Sequence, residues 1–309
     1  MPSSPRELRA LVDEMKAQRA SQAKSSDARD ITAVALKQNW AVFDLMNTLL
    51  QTEGELSRAT YELAACLKSE HNVWYAEIRF CAALHTLEGL TQDEAVGAVV
   101  DGLRRACATV GLRGGIILCA LRSHPAPHPL ETAKLARRWL GHGVVGFDVA
   151  GSETYALSLP AIVSALEACS EWGVPTTVHA GELPRGMLTN LRTALRLGVD
   201  RIGHGLALCV GDAAERGEDA ELLSEVAGQD VLLEVCLTSN CTPSRVPSYA
   251  AHPVRRMFDA GVKIALSVDN LTLSGDPVTA AACESAGLDP LKPRLQLAWL
   301  PTPLANPVA

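Results

Sequence analysis

An α/β architecture, a parallel sheet covered by helices, is predicted by three observations on this chain of 309 residues. From residue 73 onward, short apolar runs rich in Val and Ile alternate with longer segments of helical period, the pattern of repeated βα units. The runs are almost free of polar interruptions, as strands buried on both faces are. Aromatic residues make up only 4% against 48% hydrophobic residues, so Ala, Leu and Val carry the core, which disfavours an all-β fold.

Taken in order, residues 1–36 read as a polar helical segment with an Ala/Ser/Lys-rich interruption around Ser21–Ser26. Seven strands are then expected, at Val73–Phe80, Gly115–Ala120, Gly143–Val149, Pro175–His179, Asp200–His204, Asp230–Cys236 and Lys263–Val268. Between them, Thr91 and Glu94 form a capping box ahead of Val96, Val99, Val100 and Leu103, a helix start with its apolar face. Leu188, Leu191 and Leu195 repeat on one face of another helix, and Pro253 and Gly261 bracket a short one. Five prolines follow Gly287, so residues 277–309 read as a Pro-rich irregular tail behind a domain spanning 37–276.

Two sheets fit this alternation, a doubly wound one and a (β/α)8 barrel. No strand is followed by G-x-G-x-x-G, and no G-x-x-x-x-G-K-[ST] occurs, so the phosphate fingerprints of the first are missing. The strand ends carry His, Asp and Glu instead, and a barrel gathers its active site from such ends. The expected class is therefore a TIM (β/α)8-type barrel, one strand short at its start and altered at its C-terminal end.

A formal charge of -7 argues against the clustered Lys and Arg that a nucleic-acid polymer requires, while a nucleoside stays compatible. No apolar run is long enough for a transmembrane helix and the first thirty residues are too polar for a secretion signal, so no membrane partner and a cytoplasmic location are expected. The nine cysteines contain no C-x-x-C pair and read as reduced core residues.

Four strand ends carry groups able to do chemistry. His179-Ala180-Gly181-Glu182 places a carboxylate three positions beyond an imidazole, with small residues that permit a sharp bend. His204 stands between Gly203 and Gly205, Asp269-Asn270 ends the last strand, and Asp148 with Gly151 ends the third. Each alone has an ordinary reading as a turn or polar strand end. Together they suit a hydrolytic metal site with a proton-shuttling acid.

The ordered set Tyr75–Phe80, Val144–Gly151, His179–Glu182, Arg201–Gly205, Glu234–Cys236 with Thr238–Asn240, His252-Pro253 and Ser267–Asp269 resembles the adenosine deaminase family of metal-dependent amidohydrolases. That resemblance implies one Zn2+ per chain with His179 and Asp269 as ligands. It implies Glu182 as the acid that protonates purine N1, held protonated by an enclosed pocket that raises its pKa, and His204 as a base acting on the metal-bound water. Gly151 would offer its N–H to N3. Asn270 stands where the family usually has an Asp reading N7, and its amide can donate to that acceptor.

The family's His-x-His pair, two further ligands on a first strand, has no counterpart among the eight histidines. His124 and His128, in a proline-broken surface loop, are poor replacements. The simplest account is a chain that begins just downstream of that strand. The expected activity is hydrolytic deamination of adenosine or a related 6-aminopurine nucleoside, impaired by the missing pair. Two alternatives stay open: a catalytically inactive barrel that binds a purine or a protein, and a deaminase of a 6-aminopurine nucleotide or methylated aminopurine.

Overall fold

The computed structural model describes residues 46–241 and 245–269. The expected N-terminal segment 1–36, the tail 277–309 and Asn270 lie outside the described residues. The chain divides into two units, Met1–Gln51 and Thr52–Ala309. Of the first, residues 46–49 form a helical turn in which Leu49 N–H donates to Met46 O at 3.2 Å.

The second unit holds the seven expected strands: β1 (Tyr75–Phe80), β2 (Arg113–Leu121), β3 (Val144–Ala150), β4 (Thr176–Ala180), β5 (Arg201–His204), β6 (Leu232–Val235) and β7 (Lys263–Leu266). All neighbouring strands pair in parallel, in the order β1-β2-β3-β4-β5-β6-β7. A doubly wound sheet would reverse its order at a switch point. The uninterrupted order is that of a barrel.

The curl is visible in side-chain contacts. Across a flat sheet β1 and β6 would stand five strand spacings apart, roughly 24 Å at about 4.8 Å each. Yet Arg79 on β1 is hydrogen-bonded to Glu234 on β6, and Arg201 on β5 reaches Glu77 on β1 at 2.6 Å. The seven strands thus form a curled half-barrel, with β1 and β7 as its edges among the described residues. Among the described residues this agrees with the expected barrel lacking its first strand.

Helices α1 (Glu53–Ser69), α2 (Gln92–Val110), α3 (His128–Trp139), α4 (Pro160–Trp172), α5 (Leu188–Leu197), α6 (Asp212–Arg216), α7 (Asp219–Gly228), α8 (Leu237–Asn240) and α9 (Val254–Asp259) connect and cover the strands. The capping box of Thr91 and Glu94 starts α2 as expected, and Thr52 with Glu55 builds another on α1. Leu188, Leu191 and Leu195 are all buried. Pro253 and Gly261 flank α9. The eight cysteines among the described residues are free, and six are buried, as expected of a reduced core.

Helices α1 and α2 pack closely at Gly102. A Cβ there would lie 2.2 Å from Ser57 O and 2.9 Å from Thr60 Cβ, while Ser57 Oγ donates to Asp101 at 2.8 Å. Gly102→Ala is therefore expected to destabilise the chain by about 1–3 kcal/mol through overpacking. A lower urea midpoint with an unchanged m-value checks it.

Candidate active site

Parallel strands place all their C-terminal ends on one rim, so the residues that end β3 to β7 meet there. Inside the curl lies a chain of charges. Asp148, on β3 and fully buried, accepts from Arg79 Nη1 at 3.0 Å and lies 3.2 Å from His179 Nδ1. Arg79 also pairs with Glu234, which lies 3.3 Å from Arg201 Nη1. Burial alone would raise the Asp148 and Glu234 carboxyls, but His179 and Arg79 outweigh it at Asp148, and Arg79 and Arg201 at Glu234, holding both below their ordinary values. Burial would lower His179; Asp148 reverses this and holds it above its ordinary value.

At the rim, ligand-capable atoms of Glu182, His204 and Asp269 all lie within 4.8 Å of one another. His179 stands beside them, its ring centroid 5.3 Å from that of His204. Four of the expected site residues are thus brought together. Gly151, half-buried with φ +93, follows β3 on the same rim. Asn270 lies outside the described residues.

Local chain geometry explains how these groups are presented. Gly181 adopts φ +68 in the turn between His179 and Glu182, and a Cβ there would lie 2.8 Å from Leu191 Cδ1, so only glycine fits without a shift. The buried carboxylate of Glu153 splints this turn, accepting from Gly181 N at 2.7 Å, Glu182 N at 2.7 Å and Leu183 N at 3.3 Å. Arg122 ties the same two segments, donating to Tyr155 O at 3.1 Å and to His179 O. His204 itself has φ +68, a left-handed backbone that is uncommon outside glycine and is kept where the surroundings over-determine it.

Glu182 differs from expectation. Burial pushes its pKa up, but His204 and Arg245 outweigh that, and the carboxyl sits below its ordinary value. Arg245 Nη2 lies 2.6 Å from its carboxylate, and Arg245 Nη1 donates to Ser239 O at 3.0 Å. Ser239 in turn donates to Asp269 at 2.6 Å. His204 Nε2 is 4.0 Å from Glu182, and burial keeps this imidazole below its ordinary pKa and so neutral.

The donor chemistry suits a borderline divalent ion. Asp148 engages Nδ1 of His179 and leaves Nε2 as the ring nitrogen for a metal, the carboxylate–histidine arrangement that orients metal ligands. Asp269 adds a carboxylate oxygen, with His204 and Glu182 adjacent. A second group, Cys81, His124 and His128, also brings ligand atoms within 4.8 Å. There, His128 opens α3 half-buried instead of lying in a surface loop, and its Nε2 accepts from Leu121 N at 3.1 Å. Burial holds His128 down to about 4 and Cys81 up to about 11. An imidazole lone pair already in use and a protonated thiol make a poor ligand set, in line with the sequence reading of the two histidines.

Sequence reasoning missed Arg79, Glu153, Arg122 and Arg245. The signal for Arg79 was its i, i+2 spacing from Glu77 in β1, which puts two charges on one face of a strand.

The adenosine deaminase family model matches residues 14–286. The adenosine deaminase of Clostridium perfringens is 34% identical over 238 residues, covering 77% of this chain and 68% of that protein. Among solved structures, the N6-mAMP deaminase of Arabidopsis aligns over 91% of this chain and 86% of its own, with a TM-score of 0.70 and 22% identity. An amidohydrolase of Burkholderia ambifaria, crystallised with bound Zn, aligns over 90% and 80% with a TM-score of 0.66 and 21% identity. Both structures share the barrel fold.

Proposed function

We propose that this chain, which belongs to the adenosine deaminase family and so to the hydrolases acting on C–N bonds, removes the 6-amino group of adenosine or a related 6-aminopurine nucleoside. Water is consumed, and the 6-oxopurine and ammonia are the products. The observation that carries this reading is the convergence of Glu182, His204 and Asp269 within 4.8 Å, with His179 beside them.

In this reading His179 and Asp269 hold one Zn2+. A bound ion of this kind lowers the pKa of its water to about 7 and makes hydroxide available at neutral pH. Two assigned donors fall short of the three that catalytic zinc usually has, so weak retention of the ion is expected.

The chain's own groups orient the purine and move protons. Glu182 delivers a proton to ring nitrogen N1 as the attacking oxygen joins C6, which makes C6 electrophilic and keeps the ring neutral. Because Arg245, 2.6 Å away, favours its ionised form, Glu182 takes up that proton as the purine enters and separates it from Arg245. Gly151 N–H donates to N3, and the Asn270 amide donates to N7. His204 hydrogen-bonds the attacking oxygen.

The test is ammonia release from adenosine, deoxyadenosine, AMP and N6-methyl-AMP, with metal content measured on the same sample. Turnover of a nucleoside after zinc supplementation, with about one ion per chain, is the expected result. Turnover of the monophosphates alone would move the substrate to the nucleotide class. The two-donor metal set favours a second reading, an inactive purine-binding barrel. Saturable adenosine binding without ammonia at any zinc concentration would establish it and end the enzymatic one.

A further inference from the structure

Behind His204, away from Glu182, a buried line of hydrogen bonds runs to the backbone of α9. Val254 N–H donates to His252 Nδ1 at 3.1 Å. A backbone amide is only ever a donor, so His252 Nδ1 must be the bare nitrogen of its ring. Burial holds His252 down to about 4, so at neutral pH the ring carries a single proton, on Nε2.

That proton faces Asn240 Oδ1 at 3.3 Å. The Asn240 amide is thereby oriented without ambiguity. Turned over, its NH2 would oppose the Nε2–H of His252, donor against donor. With its oxygen toward His252, the Asn240 Nδ2 group donates to His204 Nδ1 at 3.1 Å. Asn240 is fully buried, and His204 and His252 nearly so, at 1% and 4% exposure, so water does not offer either ring a competing partner.

We infer that His252 and Asn240 are positioning residues which fix His204 as the Nε2–H tautomer, so that in its resting neutral form it presents a proton donor to the reaction site. The left-handed backbone of His204 and its burial hold the ring in this line. Where sequence comparison implies a base at this position, the line of hydrogen bonds supplies the opposite polarity: Nδ1 is spent on Asn240, and Nε2 already bears its proton. His204 then stabilises negative charge on the attacking oxygen by donating to it, and the proton that oxygen loses passes to solvent, which also supplies the one Glu182 takes up. This catalytic consequence rests on the proposed deamination; the tautomer does not.

The test is 15N–1H correlation of the histidine rings at neutral pH, on the protein as purified and after zinc supplementation. A bare ring nitrogen and a protonated one resonate far apart, so each tautomer is read directly, and His252→Gln identifies its own signal by loss. Wild-type His204 and His252 are both expected as Nε2–H tautomers. Finding His204 as Nδ1–H, or as an even mixture, overturns the inference with no reference to catalysis.

Asn240→Asp replaces the donor with an acceptor of the same shape and is expected to move the His204 proton to Nδ1, with kcat for adenosine falling about 10²- to 10³-fold and KM within about threefold, the scale of one lost transition-state donor. If that variant does not fold, the wild-type spectrum still decides. A wild type with the Nε2–H tautomers but no ammonia release removes the proposed function and leaves the tautomer relay standing. An inverted tautomer in Asn240→Asp with unchanged kcat removes the donor role of His204.

Discussion

Glu182→Gln is expected to lower kcat for adenosine by about 10²- to 10⁴-fold, the contribution typical of a positioned general acid, with KM changed little. The amide matches the carboxyl in shape and can hydrogen-bond a ring nitrogen, so purine binding persists. It cannot deliver a proton, so N1 stays unprotonated while C6 is attacked. Arg245, 2.6 Å away, loses its ionic partner but keeps the carbonyl of Ser239. Steady-state kinetics with a thermal melt on the same preparation separate chemistry from folding. A variant within about threefold of wild type in kcat would remove Glu182 from the proton path.

Arg79→Leu has the largest expected effect on stability, about 3 kcal/mol at neutral pH. The fully buried Asp148 and nearly buried Glu234 both depend on this guanidinium. Breaking a buried pair from one side typically costs about 3–5 kcal/mol when the surviving charge is left unpaired, and here Asp148 keeps His179 at 3.2 Å and Glu234 keeps Arg201 at 3.3 Å. The Arg79 side chain is 30% exposed, so water can enter the space it leaves and the lower end applies.

The pH dependence follows from the sign of the shifts. In the wild type Asp148 and Glu234 lie below their ordinary values. Their stabilisation is therefore present above the unfolded carboxylate range and lost as pH falls through the folded values. Without Arg79, only His179 at Asp148 and Arg201 at Glu234 oppose burial, so both carboxyls titrate higher than in the wild type and protonation on acidification relieves the variant first. The difference between the two proteins should shrink between pH 7 and about pH 4.5 in urea titrations. A constant difference would show that the loss is packing and not charge.

The parts of the fold legible in sequence are those written in local composition. Strands β2 to β6 are short runs whose residues are mostly buried, with few polar interruptions, and the capping box at Thr91 closes locally. The rim residues His179, Glu182, His204 and Asp269 were legible because each ends such a run. The interior charges were not: Arg79 and Glu234 are 155 positions apart, and only the curl of the sheet makes them neighbours. Glu182 shows the limit most sharply. An enclosed pocket was expected to raise its pKa, but Arg245, on a loop with no periodicity to place it, tips the balance the other way. Asn240 and His252 lay in plain view as polar residues near strand ends, yet their meaning depends on which ring nitrogen meets a backbone amide.

The contacts that show the curl also divide the chain's pairing into two kinds. Every rung of the sheet joins strands adjacent in sequence, so the backbone ladder assembles by closing loops of one βα unit at a time. The ion pairs of Glu77 with Arg201 and Arg79 with Glu234 close loops of 124 and 155 residues, and each doubling of loop length costs about 0.6 kcal/mol more in chain entropy. The chain can thus gain its backbone pairing while these charges are still in water, and they lose their hydration only when the sheet bends far enough for both signs to meet.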